Sequence, residues 1–164
     1  SEATFCPPGG AEVDIAVMFA DVRGSTSLAE SMDATAFAAL LNRFYKAARG
    51  VLVGRHAIID KMIGDEVMAF FVPASGPQYH RIAMQAGTAY VGKIGGDGVH
   101  DFTVLGDVVN TAARFQAQAA AGEIVLSEAL YQEVANEYPV AEQRTVELAG
   151  KQEPVAIRVL KRNR

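Results

Sequence analysis

Cysteine is nearly absent from this sequence, since Cys6 is the only one among 164 residues. An internal disulfide and a thiolate metal cluster are therefore excluded. No apolar run reaches the roughly 18–20 residues that a transmembrane helix needs, and no secretory signal is visible. The net charge of −4 argues against a general nucleic-acid surface, so we expect no nucleic-acid partner. Together these absences favour a cytoplasmic protein.

The length and composition fit a single globular domain. Half of the residues are hydrophobic, and 164 residues are enough to bury a core. We expect residues 1–12, which are rich in Pro and Gly, to be a linker and residues 13–164 to be the domain. Such a linker is compatible with a longer protein whose regulatory or membrane segments lie outside this sequence.

The hydrophobic pattern predicts strands and helices that interleave. A helix is predicted over 34–52, where apolar residues recur at helical spacing, and another is predicted to run from an N-cap at Asp107 to about Ala120. A short helix is predicted to start at Ser127. Strands are predicted at 13–20, 57–61, 66–72, 82–94, 101–105, 123–126 and, as a hairpin, 140–161. Because several neighbouring strands are joined by hairpin-length turns, we expect an α+β sandwich with a mostly antiparallel sheet.

Two aspartates lie where strands end. Asp21 follows the apolar run 15–20, and Asp65 lies in the turn between two predicted strands. Carboxylates delivered from two strand ends can hold hard cations, and the small residues after Asp21 leave backbone N–H groups for phosphate. This pattern indicates metal-dependent chemistry on a nucleoside triphosphate. A haloacid dehalogenase phosphatase would need a second Asp where Arg23 stands.

Four further polar residues are candidates for the same chemistry. Asn110 and Arg114 are four residues apart and share a helical face, where Arg114 would stabilise phosphoryl charge. Lys61 precedes Asp65 by four residues, and Thr103 lies within a predicted strand. On their own, each of these residues also fits an ordinary structural role.

Taken together, these segments resemble the catalytic domain of class III adenylyl/guanylyl cyclases, and more closely a bacterial subclass that reads the base with Lys and Thr. The matching blocks are residues 18–26, 60–67, 102–114 and 122–127. The resemblance implies a ferredoxin-like βαββαβ core with added C-terminal strands. It also implies a head-to-tail homodimer that contains two equivalent sites.

The resemblance assigns a role to each matching position. Asp21 and Asp65, helped by the Val22 carbonyl, would hold two Mg²⁺ or Mn²⁺ ions per site. Lys61 and Thr103 would read the base. The partner's α-helix would supply a ribose-orienting Asn and a transition-state Arg, here Asn110 and Arg114. The backbone amides that would receive the β- and γ-phosphates belong to Arg23, Gly24, Ser25 and Thr26.

Lys61 favours ATP as the substrate. A lysine donates to N1 of adenine, whereas facing the N1–H of guanine would cost roughly 1–3 kcal/mol. Guanylyl cyclases usually carry Glu at this position. A guanylyl cyclase, and a silent nucleotide-binding regulatory module, stay open as alternatives. A diguanylate cyclase is not supported, because the turn 63–67 lacks the Gly-Gly-Asp/Glu-Glu-Phe pattern.

Two departures from the family pattern stand out. The chain between Phe71 and Ala83 is shorter than in the family, which has a longer helix there. A phosphate-binding Lys often stands where Ala149 falls, and whether Lys151 replaces it is left open.

Overall fold

A computed structural model of the chain describes residues 9–76, 84–96 and 99–161. The described residues form two antiparallel sheets and four α-helices. In chain order, the elements are β1 (Ala11–Asp21), α1 (Ser25–Ser31), α2 (Ala34–Gly54), β2 (Ile58–Ile63), β3 (Glu66–Phe71), β4 (Gln85–Gly96), β5 (Val99–Leu105), α3 (Asp107–Gln118), β6 (Glu123–Ser127), α4 (Glu128–Val134), β7 (Glu142–Val146) and β8 (Val155–Lys161).

The larger sheet has five strands in the order β2-β3-β1-β4-β5, and its neighbouring strands are antiparallel. The order β4-β1-β3-β2 is that of a ferredoxin-like core, so the predicted fold class is confirmed. β1 lies at the centre because its apolar run includes Ile15, Ala16 and Val17, which are fully buried. A strand so apolar is stable only where both sheet faces are covered.

Helices cover the two faces of this sheet. Side chains alternate along a strand, so Ile15 and Val17 face one side and Ala16 faces the other. The first side packs against Val108 and Ala112 of α3. The second side packs against Leu52 of α2 and neighbouring helical residues. The sheet is thus sandwiched between α2 and α3, and α3 carries Asn110 and Arg114 of the predicted site.

Strands β2 and β5 contact each other although they lie at opposite edges of the sheet order. Ile58 of β2 and Val104 of β5 belong to the same hydrophobic cluster. Accumulated strand twist explains this closure. It brings the strand that carries Lys61 towards the strand that carries Thr103.

The smaller sheet has the order β6-β8-β7 and forms the added C-terminal strands. Its inner face contributes Val125, Ile157 and Val159 to a cluster that also contains Phe115 of α3 and Leu148. Since α3 packs on both sheets, its position is set by two cores at once.

Several local predictions need correction. The N-cap of α3 is Gly106, and Asp107 is the first residue of the helix, where its carboxylate bonds other partners. β1 begins at Ala11, inside the range predicted as a linker. The predicted strand start at 82–83 lies outside the described residues, as does most of the short connection between β3 and β4. None of the described helices has both the length and the apolarity to cross a membrane.

Candidate functional site

Asp21 and Asp65 come together at one end of the five-stranded sheet. Asp21 is the last residue of β1 and is paired in register with Glu66, the residue after Asp65. The Val22 amide donates to the Asp65 carbonyl oxygen over 3.1 Å. Gly64 provides the positive φ of 61° that the two-residue turn requires. The sheet register therefore places both predicted acids at the same end of the sheet.

A third carboxylate, Glu66, joins this group. Burial raises the pKa of Glu66 above its ordinary value, and the charges of Asp21 and then Asp65 raise it further. The sequence-based prediction did not include Glu66. The sequence feature that could have identified Glu66 is its position directly after Asp65, at the start of a predicted strand. Three acids close together create a negative potential that a bound cation would relieve.

The donor set fits a divalent metal that shares its coordination with a substrate. Carboxylate and carbonyl oxygens are hard donors. Val22 directly follows Asp21, and its carbonyl accepts from the Ser25 amide over 3.1 Å. No cluster of three or more His, Cys, Asp or Glu side chains suited to a metal was found in the described ranges. Mg²⁺ commonly uses one or two carboxylates, with water and phosphate oxygens completing the octahedron.

Arg23 places a positive charge beside this acidic group. Its Nε lies 3.3 Å from Oδ1 of Asp21. Its guanidinium also donates to the carbonyl of Gln116, in the last turn of α3. The side chain of Arg23 thus links the end of β1 to the end of α3, a contact that the prediction for its backbone amide did not include.

The segment predicted to receive phosphates leads into α1. Gly24 is the N-cap with φ 72°, and no side chain caps this helix. The Ser25 amide is bonded to the Val22 carbonyl. The first amides of a helix have no intrahelical acceptor, so the amide of Thr26 is of the type that suits an anion.

The two residues predicted to read the base differ in exposure. Lys61 on β2 is in register with Met68 of β3, its side chain is 40% exposed, and its Nζ lies 4.0 Å from Asp60. Thr103 on β5 is paired with Gly92 and is only 7% exposed. The closure of β2 onto β5 brings their strands together.

Asn110 and Arg114 lie on α3, as predicted, with Asn110 exposed and Arg114 half-buried. Nη2 of Arg114 would lie 3.2 Å from a Cβ atom placed on Gly150. Beside it, Lys151 Nζ lies 2.6 Å from Oδ2 of Asp107. The hydrogen bond from Lys151 is the main cause that lowers the pKa of Asp107. The described contacts of Arg114 are therefore with the turn before β8, whereas those of Asp21 are with Arg23.

A groove of about 620 Å³ lies between α3 and the chain that leads into β8, and its walls include Thr111, Phe115 and Lys151. Neither Asp21 nor Asp65 is among the described residues that line this groove. Asn110 and Arg114 are not among its lining residues either.

Comparison with known proteins identifies relatives of this chain. A family model described as the adenylate and guanylate cyclase catalytic domain matches residues 74–160, just over half of the chain. An uncharacterized protein of Mycobacterium tuberculosis is 29% identical over 130 residues. That match covers 65% of this chain and 24% of the relative, so the chain spans about a quarter of the length of such curated relatives.

Solved structures share the fold over nearly the whole chain. The adenylyl cyclase CyaB from P. aeruginosa is 25% identical, with a TM-score of 0.75 over 94% of this chain and 97% of that one. The guanylyl cyclase Cya2 is 21% identical, with a TM-score of 0.78 over 92% of this chain and 93% of that one. An adenylyl cyclase and a guanylyl cyclase thus both share this fold.

Proposed function

The chain belongs to the adenylate and guanylate cyclase catalytic domain family, and on that premise we propose that it converts ATP to 3′,5′-cyclic AMP and pyrophosphate. The family consists of nucleotide cyclases that generally use divalent metals and assemble as dimers. The finer assignments below are our own: ATP as substrate, two Mg²⁺ or Mn²⁺ ions per site, and a homodimer.

The observation that carries the proposal is the joining of Asp21, Asp65 and Glu66 at one sheet end, directly before the α1 amides. Negative side chains followed at once by anion-binding backbone suit a metal–triphosphate complex. When bound, the ions would lower the pKa of the ribose 3′-hydroxyl and neutralise the triphosphate. Asp21 and Asp65 would hold them, with the Val22 carbonyl.

Cyclisation joins the ribose 3′-oxygen to the α-phosphorus. It breaks the bond between the α-phosphorus and the oxygen that bridges to the β-phosphate. The hydroxyl proton is released to solvent, and pyrophosphate leaves with the electron pair. The chain's own residues mainly position these groups. The amides of Arg23, Gly24 and Thr26 would hold the departing phosphates, and the Ser25 amide would join them by exchanging the Val22 carbonyl for a phosphate oxygen. Asn110 would orient the ribose, and Arg114 would donate to the α-phosphate as charge builds.

In the proposed homodimer, each site would combine residues from both chains. The acids of one protomer would face Lys61, Thr103, Asn110 and Arg114 of its partner. Because every chain carries both groups, a two-fold arrangement gives two equivalent composite sites.

Base selection follows from the polar groups on β2 and β5. The Lys61 ammonium would donate to N1 of adenine, and Thr103 would accept from the 6-amino group. Guanine offers N1–H as a donor, so it would leave Lys61 facing another donor. This mismatch supports ATP over GTP.

Mixed dimers test the proposal. Asp21→Ala chains and Arg114→Ala chains should each be inactive with ATP and Mn²⁺. Combined in equal amounts, they should regain activity, because each mixed dimer keeps one intact site with Asp21 and Arg114 on different chains. Recovery should approach about a quarter of the wild-type rate, since half of the dimers are mixed and each has one of two sites. Liquid chromatography of the products from ATP and from GTP identifies the nucleotide.

Two results would contradict the proposal. One is an absence of recovery although sizing of the mixture detects mixed dimers. The other is a wild-type protein that binds nucleotide without forming a cyclic product, which would support a silent regulatory module.

A further inference from the structure

We propose that the turn over residues 148–151, between β7 and β8, is a positioning element that fixes the guanidinium of Arg114. The inference rests on the proposed function, since it concerns how the same site is held. The turn closes with a hydrogen bond from the Lys151 amide to the Leu148 carbonyl, 3.0 Å long. Three of its residues lie against residues of α3.

Gly150 provides the surface on which the guanidinium lies. A Cβ atom on Gly150 would lie 3.2 Å from Nη2, 3.7 Å from Nη1 and 3.8 Å from Cζ of Arg114. The end of the guanidinium therefore lies next to the space that a side chain on residue 150 would enter. Gly150 also has φ 77°, a conformation that other residues adopt at a cost. An added Cβ here would require Nη2 of Arg114 to move by a few tenths of an ångström.

Lys151 and Leu148 attach the turn to α3, the first through Asp107 and the second through Phe115. Lys151 Nζ bonds Asp107 at the start of α3 over 2.6 Å, about two helical turns before Arg114. Leu148 is 4% exposed and packs in one cluster with Phe115, the neighbour of Arg114. The turn is therefore anchored by charge on one side and by apolar packing on the other.

The ion pair between Lys151 and Asp107 is more important for geometry than for stability. The side chain of Asp107 is 70% exposed, and exposed pairs contribute little to the free energy of folding. Catalysis is more sensitive, because a displacement of about 1 Å can cost roughly 100-fold in rate. Loosening this turn should therefore lower kcat before it lowers the melting temperature.

Gly150→Ala in the full chain tests the inference, with Gly122→Ala as a matched control. Gly122 has φ 78°, close to the 77° of Gly150, but an added Cβ there meets nothing within 4 Å. Both variants should lower Tm by similar amounts. Only Gly150→Ala should lower kcat for ATP, by about tenfold, while KM stays within about twofold.

Two further variants separate positioning from general damage. In the mixed dimers, Gly150→Ala on the Arg114→Ala chain should cause no loss of kcat, since the group it displaces is gone. On the Asp21→Ala chain, which supplies the working Arg114, it should lower kcat by about tenfold. Lys151→Met should lower kcat by about threefold to tenfold, and Lys151→Arg should restore it, because Arg keeps the charge near Asp107. Lys151→Met also keeps the test valid if Gly150→Ala fails to fold.

The outcomes distinguish the two proposals. If wild type forms cyclic AMP and Gly150→Ala keeps its kcat, the positioning role is wrong while the proposed function stands. An equal loss in Gly122→Ala, or an equal loss from Gly150→Ala on either chain of the mixed dimer, also overturns the positioning role. A wild-type dimer without cyclase activity overturns the proposed function, and the positioning role with it.

Discussion

At the scale of single residues, Lys61 is the group whose charge should decide the base. Its side chain is 40% exposed and so accessible to a ligand, whereas Thr103 is held in place by burial. We predict that Lys61→Glu lowers kcat/KM for ATP by about 10- to 100-fold, the equivalent of roughly 1–3 kcal/mol for an unmatched polar group. The ratio of kcat/KM for GTP to that for ATP should rise.

Steady-state kinetics with both nucleotides measures this ratio. Lys46→Glu, which makes the same charge change on the exposed side of α2, is the matched control and should leave the ratio unchanged. If the ratio is the same in wild type and Lys61→Glu, Lys61 does not read the base.

Residue positions fixed by local pattern were predictable, and those fixed by distant partners were not. Asp21 and Asp65 were expected at strand ends, and both lie there because strand and turn follow local chemistry. Asp107 was expected to cap α3, but its carboxylate bonds Lys151, 44 residues away. No pattern near Asp107 reveals this partner. The assigned roles of these residues in catalysis stay predictions.

At the scale of elements, the smaller sheet is linked by a network of charges. Glu123 of β6 accepts from both Nη atoms of Arg144 on β7, at 2.9 and 2.7 Å. Lys161 of β8 lies 3.6 Å from Glu123 and 2.8 Å from Glu142. The hydrogen bonds from Arg144, and one from the Ala120 amide, lower the pKa of Glu123 from 4.5 to about 2.

This lowered pKa predicts a pH-dependent contribution to stability. A carboxylate whose folded pKa is lowered stabilises the fold above its ordinary pKa, and loses this effect as the pH falls towards the folded value. Glu123→Gln should therefore lower Tm by about 2–4 °C near neutral pH. The difference from wild type should shrink as the pH falls from 4.5 towards about 2.

Thermal unfolding followed by circular dichroism at several pH values measures this difference. Glu12→Gln, at an exposed position of β1, is the control and should leave Tm nearly unchanged. A Tm difference for Glu123→Gln that stays constant with pH would contradict the assigned network.

Elements with a strong period were predicted more accurately than their ends. The helix expected over 34–52 is α2, Ala34–Gly54, since one apolar face defines its length. The strand expected at 57–61 instead runs over Ile58–Ile63, because pairing with β3 continues to the Asp65 turn. The closure of β2 onto β5 could not be predicted, since it arises from twist accumulated over the whole sheet.

At the scale of the whole molecule, the proposed composite sites would make activity depend on association. We predict that specific activity falls on dilution, and that its midpoint agrees with the dimer dissociation constant from sedimentation velocity. The physical reason is that a lone protomer has each group of residues without its counterpart. A specific activity that stays constant while the protein dissociates would contradict a shared site.

The central place of β1 has a consequence for how the molecule receives a ligand. β1 is paired with β3 as far as Asp21 but with β4 only as far as Val17, whereas the α1 helix that follows has no buried residue. Amide hydrogen exchange should therefore be slowest up to Val17, faster towards Asp21 and fastest in α1. An arriving phosphate chain would be accommodated by the pliable helix, and the acid would keep its place.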